Sequence, residues 1–160
     1  MRAAHHECRT FDDIRTCLEA IGPRTAIVDV EPLIAYWDTG TEDLDQGIAQ
    51  FLQDVESLPS LEIIAFATNS FRQPSTSPDR PGVTYHARAL KPFSTKPFRH
   101  LPTPGVVIGD QTATDGVLAY RLNYTFLRYK VPTTTMKPGP KLMAALGTLI
   151  SPFVLTRPGS

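Results

Sequence analysis

LEIIAFATNS, residues 61–70, is a nearly unbroken apolar run that breaks off in a polar group, Thr68, Asn69 and Ser70. A strand with apolar side chains on both faces belongs in the middle of a parallel sheet covered on both sides, because a half-exposed strand would alternate apolar with polar. TAIVDV (25–30) has the same character, rich in β-branched residues and ended by acids and Pro32. Three further strand segments follow in VTYHA (83–87), GVVIGD (105–110) and YTFLRY (124–129). Helical periodicity fills most of the intervals. Thr10 and Asp13 make a capping-box pattern, and Phe11, Ile14, Cys17, Leu18 and Ile21 recur at helical spacing up to Gly22. A second helix is predicted from Thr41, with Glu42 and Asp43 suited to the first turn and Leu44, Ile48, Phe51, Leu52, Val55 and Leu58 on one face. Gly47 weakens this helix without ending it. DGVLAYRL (115–122) gives a short helical segment, whereas RQPSTSPDRPG (72–82) is too dense in proline and serine for anything but a surface loop. Strands alternating with helices predict an α/β layer architecture, a mainly parallel sheet of about five strands joined by right-handed crossovers.

The 160 residues suffice for one core and are too few for two ordinary domains. With 41% hydrophobic and 20% charged residues, the composition is that of a globular chain and excludes wholesale disorder or a multi-span membrane protein. Sixteen basic residues balance sixteen acidic ones, so the footprint of a dedicated nucleic-acid binder is missing and no nucleic-acid partner is expected. Cys8 and Cys17 form neither a CxxC pair nor a disulfide framework, which fits reduced thiols in a cytoplasm. The N-terminal stretch has acids where a signal peptide needs an apolar run, and it is expected to fray. His5, His6, Glu7 and Cys8 are metal-binding residue types, but a frayed terminus gives them no scaffold.

From Lys137 the character changes: KPGPK introduces LMAALGTLISPFVL, interrupted by Gly147 and Pro152. About fourteen apolar residues are too few to span a bilayer, which takes roughly twenty. The expected organisation is one domain over 1–136 and an apolar tail over 137–160 that packs on the core, on a second subunit of a homo-oligomer, or on a membrane surface through 142–155.

Ligands of open α/β sheets bind outside the carboxyl ends of the strands, so the polar residues that follow each apolar run are the candidates. Asp29 and Glu31 follow the first, Thr68 and Asn69 the second, Lys91 the third, and Asp110 the fourth, with Asp115 five residues on. Carboxylates at one sheet edge suit Mg²⁺, which takes hard oxygen ligands, while a lysine and a hydroxyl suit a phosphoryl group. His86 and His100 belong to no such pattern. Tyr36, Trp37 and Asp38 follow the first strand and are candidates for the entrance, although an aromatic pair also suits the core.

Together these segments resemble the haloacid dehalogenase (HAD) superfamily, and within it the subfamily IIIA, YqeG-type group that includes phosphatidylglycerophosphate phosphatases. The resemblance covers about Phe11 to Val131. VVIGDQTATDGVLAYRL (106–122) is similar to the fourth motif of that group, TAIVDVEPLIAYWDT to the first, ATNS to the second and ALKP to the third. The resemblance implies a three-layer Rossmann-like core over 1–136 and a Mg²⁺-dependent phosphatase. Asp29 would be the nucleophile that forms an aspartyl-phosphate and Glu31 the general acid/base, with Thr68 and Lys91 binding phosphoryl oxygens. Mg²⁺ would be held by Asp29, the Glu31 main-chain carbonyl and Asp110, with Asp115 nearby. Lys96 is also followed by proline but lacks the Ala-Leu that precedes Lys91 in ALKP. The first motif of the family is normally Asp-x-Asp-x-Thr, and here Glu31 and Leu33 fill its last two positions. The alternative implied is therefore a catalytically weak or silent HAD-like domain that binds a phosphorylated ligand or a protein partner. About forty residues separate Asp29 from Thr68, room for a loop and one helix but not for a folded cap domain. An open site and an apolar tail suit a phosphorylated lipid such as phosphatidylglycerophosphate, met in the cytoplasm at the inner face of the membrane.

Overall fold

The computed structural model describes residues 3–130 and 138–156. Strand β1 (Ala3–Cys8) leads into helix α1 (Phe11–Ile21), strand β2 (Thr25–Asp29), helix α2 (Thr41–Asp54) and strand β3 (Ile63–Ala67). Strands β4 (Val83–His86) and β5 (Gly105–Gly109) follow. A π-helical turn (Thr112–Gly116) runs directly into helix α3 (Val117–Leu122) and then strand β6 (Thr125–Tyr129). Helix α4 (Pro138–Val154) and a two-residue strand β7 (Leu155–Thr156) complete the described chain.

The α1 boundaries are set by local chemistry. Thr10 accepts from the Asp13 amide while the Asp13 carboxylate accepts from the Thr10 amide, and Gly22 closes the helix in the left-handed region at φ 59°. Residues 72–82 contain no helix, in keeping with their prolines and serines.

The strands form one parallel sheet in the order β4-β3-β2-β5-β6-β1-β7. The chain moves outward from β2 through β3 to β4, then returns to the other side of β2 with β5. The point of reversal lies between β2 and β5, where the carboxyl ends of neighbouring strands diverge and leave a crevice. The central strands β2, β3 and β5 are buried on both faces, and the side chains of the sheet sort by the period of two. Ala26, Val28, Ile64, Phe66, Val106, Ile108 and Leu127 face one way, toward Ile14 and Leu18 of α1 and Leu44, Ile48 and Phe51 of α2. Ile27, Ala65, Ala67, Val107 and Phe126 face the other, toward Leu118 and Ala119 of α3. On the first side the rings of Phe11, Phe51 and Phe66 meet edge to face at centroid distances of 5.6 and 5.7 Å. Helices thus cover both faces, the three-layer arrangement that right-handed crossovers produce when the direction of travel reverses.

Three expectations change. The sheet has seven strands where about five are predicted, because both ends of the described chain add one. AAHHEC is a strand and not a frayed end. It pairs in parallel with β6 and with β7, and it gives no apolar alternation to read because only Ala3 and Cys8 are buried. The strand also separates the four metal-binding residue types of its sequence onto alternate faces. His5 Nδ1 meets the Thr156 carbonyl oxygen at 2.9 Å, and Glu7 pairs with Lys130 at 2.8 Å. Gly47, read as a weak point of α2, is a point of close approach: a Cβ there would lie 2.0 Å from the carbonyl oxygen of Ile34. Glycine lets α2 rest directly on the loop that carries Glu31 and Trp37.

Of the tail expected over 137–160, residues 137 and 157–160 lie outside the described residues. Gly147 of α4 sits against Thr112 and Ala113, where a Cβ would be 3.0 Å from the Thr112 side chain, so the helix packs on the π-helical turn. Among the described residues, no helix is long and apolar enough to cross a membrane.

Candidate active site

The crevice between β2 and β5 gathers the residues singled out from the sequence. Asp29 ends β2, Glu31 lies two residues on, Thr68 directly follows β3, and Asp110 directly follows β5. Asp115 comes from the π-helical turn, and Lys91 reaches in from the segment after β4. All six are buried. The Lys91 Nζ donates to Asp29 Oδ1 at 2.6 Å and to Asp115 Oδ1 at 2.7 Å, bridging two carboxylates. Asp29, Asp110 and Asp115 each offer an oxygen within 4.8 Å of the others. Gly109 makes this crowding feasible, since a Cβ there would lie 2.3 Å from Asp115 Oδ2.

Lys91 is placed by side-chain contacts with backbone. Asn69 accepts from the Lys91 amide at 2.8 Å and donates to the Lys91 carbonyl at 2.9 Å. Arg88 and Leu90 adopt positive φ, 52° and 55°, in the turn that aims the lysine inward. The Ala89 amide donates to the Thr68 carbonyl and the Arg88 amide to the Ser70 carbonyl, so the segments after β3 and β4 are tied together.

Glu31 sits in a second cluster. Thr68 Oγ1 donates to Glu31 Oε2 at 2.7 Å, Ser70 Oγ donates to Oε1 at 3.2 Å, and the Arg72 guanidinium lies 3.8 Å from Oε1. The same guanidinium donates to the carbonyls of Tyr36, Thr39 and Gly40 and so fastens the loop after β2. Ser70 and Arg72 escape sequence reasoning: Ser70 is one hydroxyl among several, and Arg72 opens a stretch that reads as solvent-exposed loop. Lys96 and His100 are exposed and outside this group, and His86 is engaged with Thr84 at 3.1 Å. Trp37 lines the pocket, whereas Tyr36 is exposed beside it. The pocket is bounded also by Gln111 and Thr114, and its volume of about 150 Å³ admits a phosphoryl-sized group.

The carboxylates at the site are crowded and short of positive charge. Burial pushes the Asp29 carboxyl well above its ordinary range, Asp115 adds to the shift, and Lys91 opposes it. Burial alone would lower the Lys91 ammonium, but Asp115 and Asp29 outweigh it and hold the lysine protonated above its ordinary value. Asp110 is pushed up to about 7, first by burial and then by Asp115. Neither Asp110 oxygen accepts a hydrogen bond from another of the described residues. A buried carboxylate without donors is expensive, and one ammonium does not neutralise three carboxylates. Three hard oxygen donors facing each other, one of them without a donor of its own, fit a divalent cation.

A prediction follows from Asp110. An unfolded aspartate titrates near 3.9, so the folded protein retains a proton that the unfolded chain has released, and its stability declines as pH rises from about 4 to about 7. The window of about three units corresponds to roughly 4 kcal/mol. His6 and His86, whose pKa values burial lowers, titrate alike in wild type and Asp110→Asn and cancel in the difference between them. In EDTA, Asp110→Asn is expected to gain on wild type in melting temperature as pH rises through this window. Mg²⁺ at about pH 8 is expected to reverse that order. A difference independent of pH would remove the strained carboxylate from the account.

Comparison with models of protein families, with curated proteins and with solved structures finds no match to this chain.

Proposed function

We propose that the protein is a HAD-like phosphatase that hydrolyses phosphomonoesters with the help of a divalent cation, most suitably Mg²⁺, held by Asp29, Asp110 and Asp115. The observation that carries this reading is the Lys91 ammonium bridging Asp29 and Asp115 beside the donor-free carboxylate of Asp110, at the mouth of the crevice between β2 and β5. When bound, the cation supplies positive charge that offsets both the crowded carboxylates and the phosphoryl oxygens. An Asp29 oxygen attacks phosphorus, the bond to the ester oxygen breaks, and Glu31 in its acid form gives that oxygen a proton. Water then gives a proton back to Glu31 as it attacks the aspartyl-phosphate, freeing phosphate and restoring Asp29. Lys91 and the Thr68 hydroxyl face the phosphoryl oxygens, and Lys91 together with the cation favours the ionised form of Asp29 that attacks. The pocket opens to solvent, so the organic half of the ester can extend outward from it. A phosphorylated lipid whose headgroup alone enters, such as phosphatidylglycerophosphate, suits that arrangement.

A second reading draws on Glu31. Both of its oxygens already receive hydroxyl donors, from Thr68 and Ser70, which favours a silent domain that binds a phosphorylated ligand. Phosphate release from p-nitrophenyl phosphate and from phosphatidylglycerophosphate, with Mg²⁺ and with EDTA, separates the two. Activity is expected with Mg²⁺ and absent with EDTA. Glu31→Gln, unable to carry the proton, is expected to lose roughly 10²- to 10⁴-fold. Glu31→Asp, too short to be held by both hydroxyls, is expected to raise turnover. Absence of release by a folded sample that binds Mg²⁺ would decide for the silent domain.

A further inference from the structure

The thirty residues from Arg80 to Gly109 contain no acid, in a chain whose charges balance overall. They carry Arg80, Arg88, Lys91, Lys96 and Arg99, and of these only Lys91 is consumed by the site. Arg88, Lys96 and Arg99 are exposed, and none of the three is in an ion pair among the described residues. Large apolar side chains stand among them. Leu90 and Phe93 flank Lys91 at 61% and 85% exposure, and Phe71, next to Ser70, is 76% exposed. These segments form one lip of the pocket, because the Arg88 amide is bonded to the Ser70 carbonyl and the Arg88 guanidinium lies 4.8 Å from the centre of the Phe71 ring. Arg121 fastens the Phe93 end of the lip, donating to the Phe93 carbonyl at 2.8 Å. The loop after β2, which Arg72 holds through the Tyr36 and Thr39 carbonyls, bears the exposed acid Asp38.

Exposed aromatic and aliphatic side chains interleaved with unpaired cations are the chemistry of a surface that meets anionic lipid: the apolar groups enter the acyl boundary and the cations stay at the headgroups. An acidic protein would be matched by the charges but would leave little reason for Phe71, Leu90 and Phe93 to stand out singly in solvent. We propose that this lip, Phe71 with residues 88–99, docks on an anionic bilayer and brings the pocket to the headgroup plane. Docking itself stands on the lip alone, and only its use in presenting a headgroup phosphate rests on the phosphatase reading.

Co-sedimentation of the full chain with vesicles tests it, using phosphatidylcholine alone and equal parts of phosphatidylcholine and phosphatidylglycerol. Binding is expected only with phosphatidylglycerol and is expected to weaken with salt. The double variant Phe71→Ser, Phe93→Ser is expected to bind at least about tenfold more weakly. Removing a cation near the surface costs about fivefold per charge, so Lys96→Glu with Arg99→Glu is expected to lose about 30-fold or more. Both variants alter exposed positions and are expected to keep wild-type hydrolysis of p-nitrophenyl phosphate, if the phosphatase reading holds. Asp29→Asn is expected to bind vesicles as wild type does whether or not that reading holds, so failure of docking and failure of catalysis are told apart. The exposed α4 residues Leu149 and Phe153 provide a comparison, since Leu149→Ser with Phe153→Ser is expected to bind normally. Loss of binding in that variant with retention in the lip variants would assign docking to α4 and overturn the proposal. Absence of binding to either vesicle would overturn it as well and leave the lip to an acidic protein.

Discussion

Asp29→Asn is expected to lower phosphate release by roughly 10³-fold or more while leaving the metal-free protein at least as stable as wild type. The two effects have one origin. Asp29 is buried, its ionisation is opposed by burial and by Asp115, and its charge is tolerated because Lys91 lies 2.6 Å away. Asparagine still offers an oxygen for the Lys91 ammonium to bond, but that oxygen is no longer a charged nucleophile. Removing one of the crowded charges therefore relieves strain that the proposed chemistry requires. The check is the rate on p-nitrophenyl phosphate with Mg²⁺, beside the melting temperature in EDTA. Undiminished turnover would place the nucleophile elsewhere, and a fall of several degrees in melting temperature would make the Asp29 charge a structural partner of Lys91.

Lys91→Met is expected to act in the opposite sense on stability. The substitution keeps most of the chain length and deletes the cation that joins Asp29 to Asp115, both of which are buried. Breaking a buried charge pair by removing one partner costs about 3–5 kcal/mol, because the other charge stays behind without compensation. For a domain of this size that corresponds to a melting temperature lower by about 10 °C. Mg²⁺ is expected to restore part of the loss by taking over the neutralising role, and thermal melts with and without the ion would show it. Unchanged melting in EDTA would mean that the acids take up protons at no cost, and that Lys91 contributes little to the fold.

The sequence made some of this site legible and hid the rest for physical reasons. Asp29, Thr68, Lys91 and Asp110 could be named because they follow apolar runs, and in a parallel sheet the ends of such runs share one edge. Asp115 could be placed by its distance from Asp110, although the π-helical turn that carries it could not. Strand β1 was hidden because only the end residues of AAHHEC are buried, with no more than the two-residue β7 beyond it in the sheet, and without alternation a strand has no signature. Strand β7 has two residues, Leu155 and Thr156, and so no period at all. Ser70 and Arg72 matter through long-range contacts with Glu31 and with the carbonyls of residues 36, 39 and 40, which local pattern cannot carry. The unbonded oxygens of Asp110 are a property of what surrounds them and are visible only in the structure.

The side-chain amide of Asn69 meets the backbone of Lys91 as one strand meets the next, with one bond given and one received. In effect the sheet gains a rung made by a side chain, and the site lysine stands on it. The reach of Lys91 toward Asp29 is therefore measured from β3 and owes little to the length of chain that intervenes. The proline-rich excursion between Arg72 and Gly82 can therefore change in length at little cost to the position of Lys91.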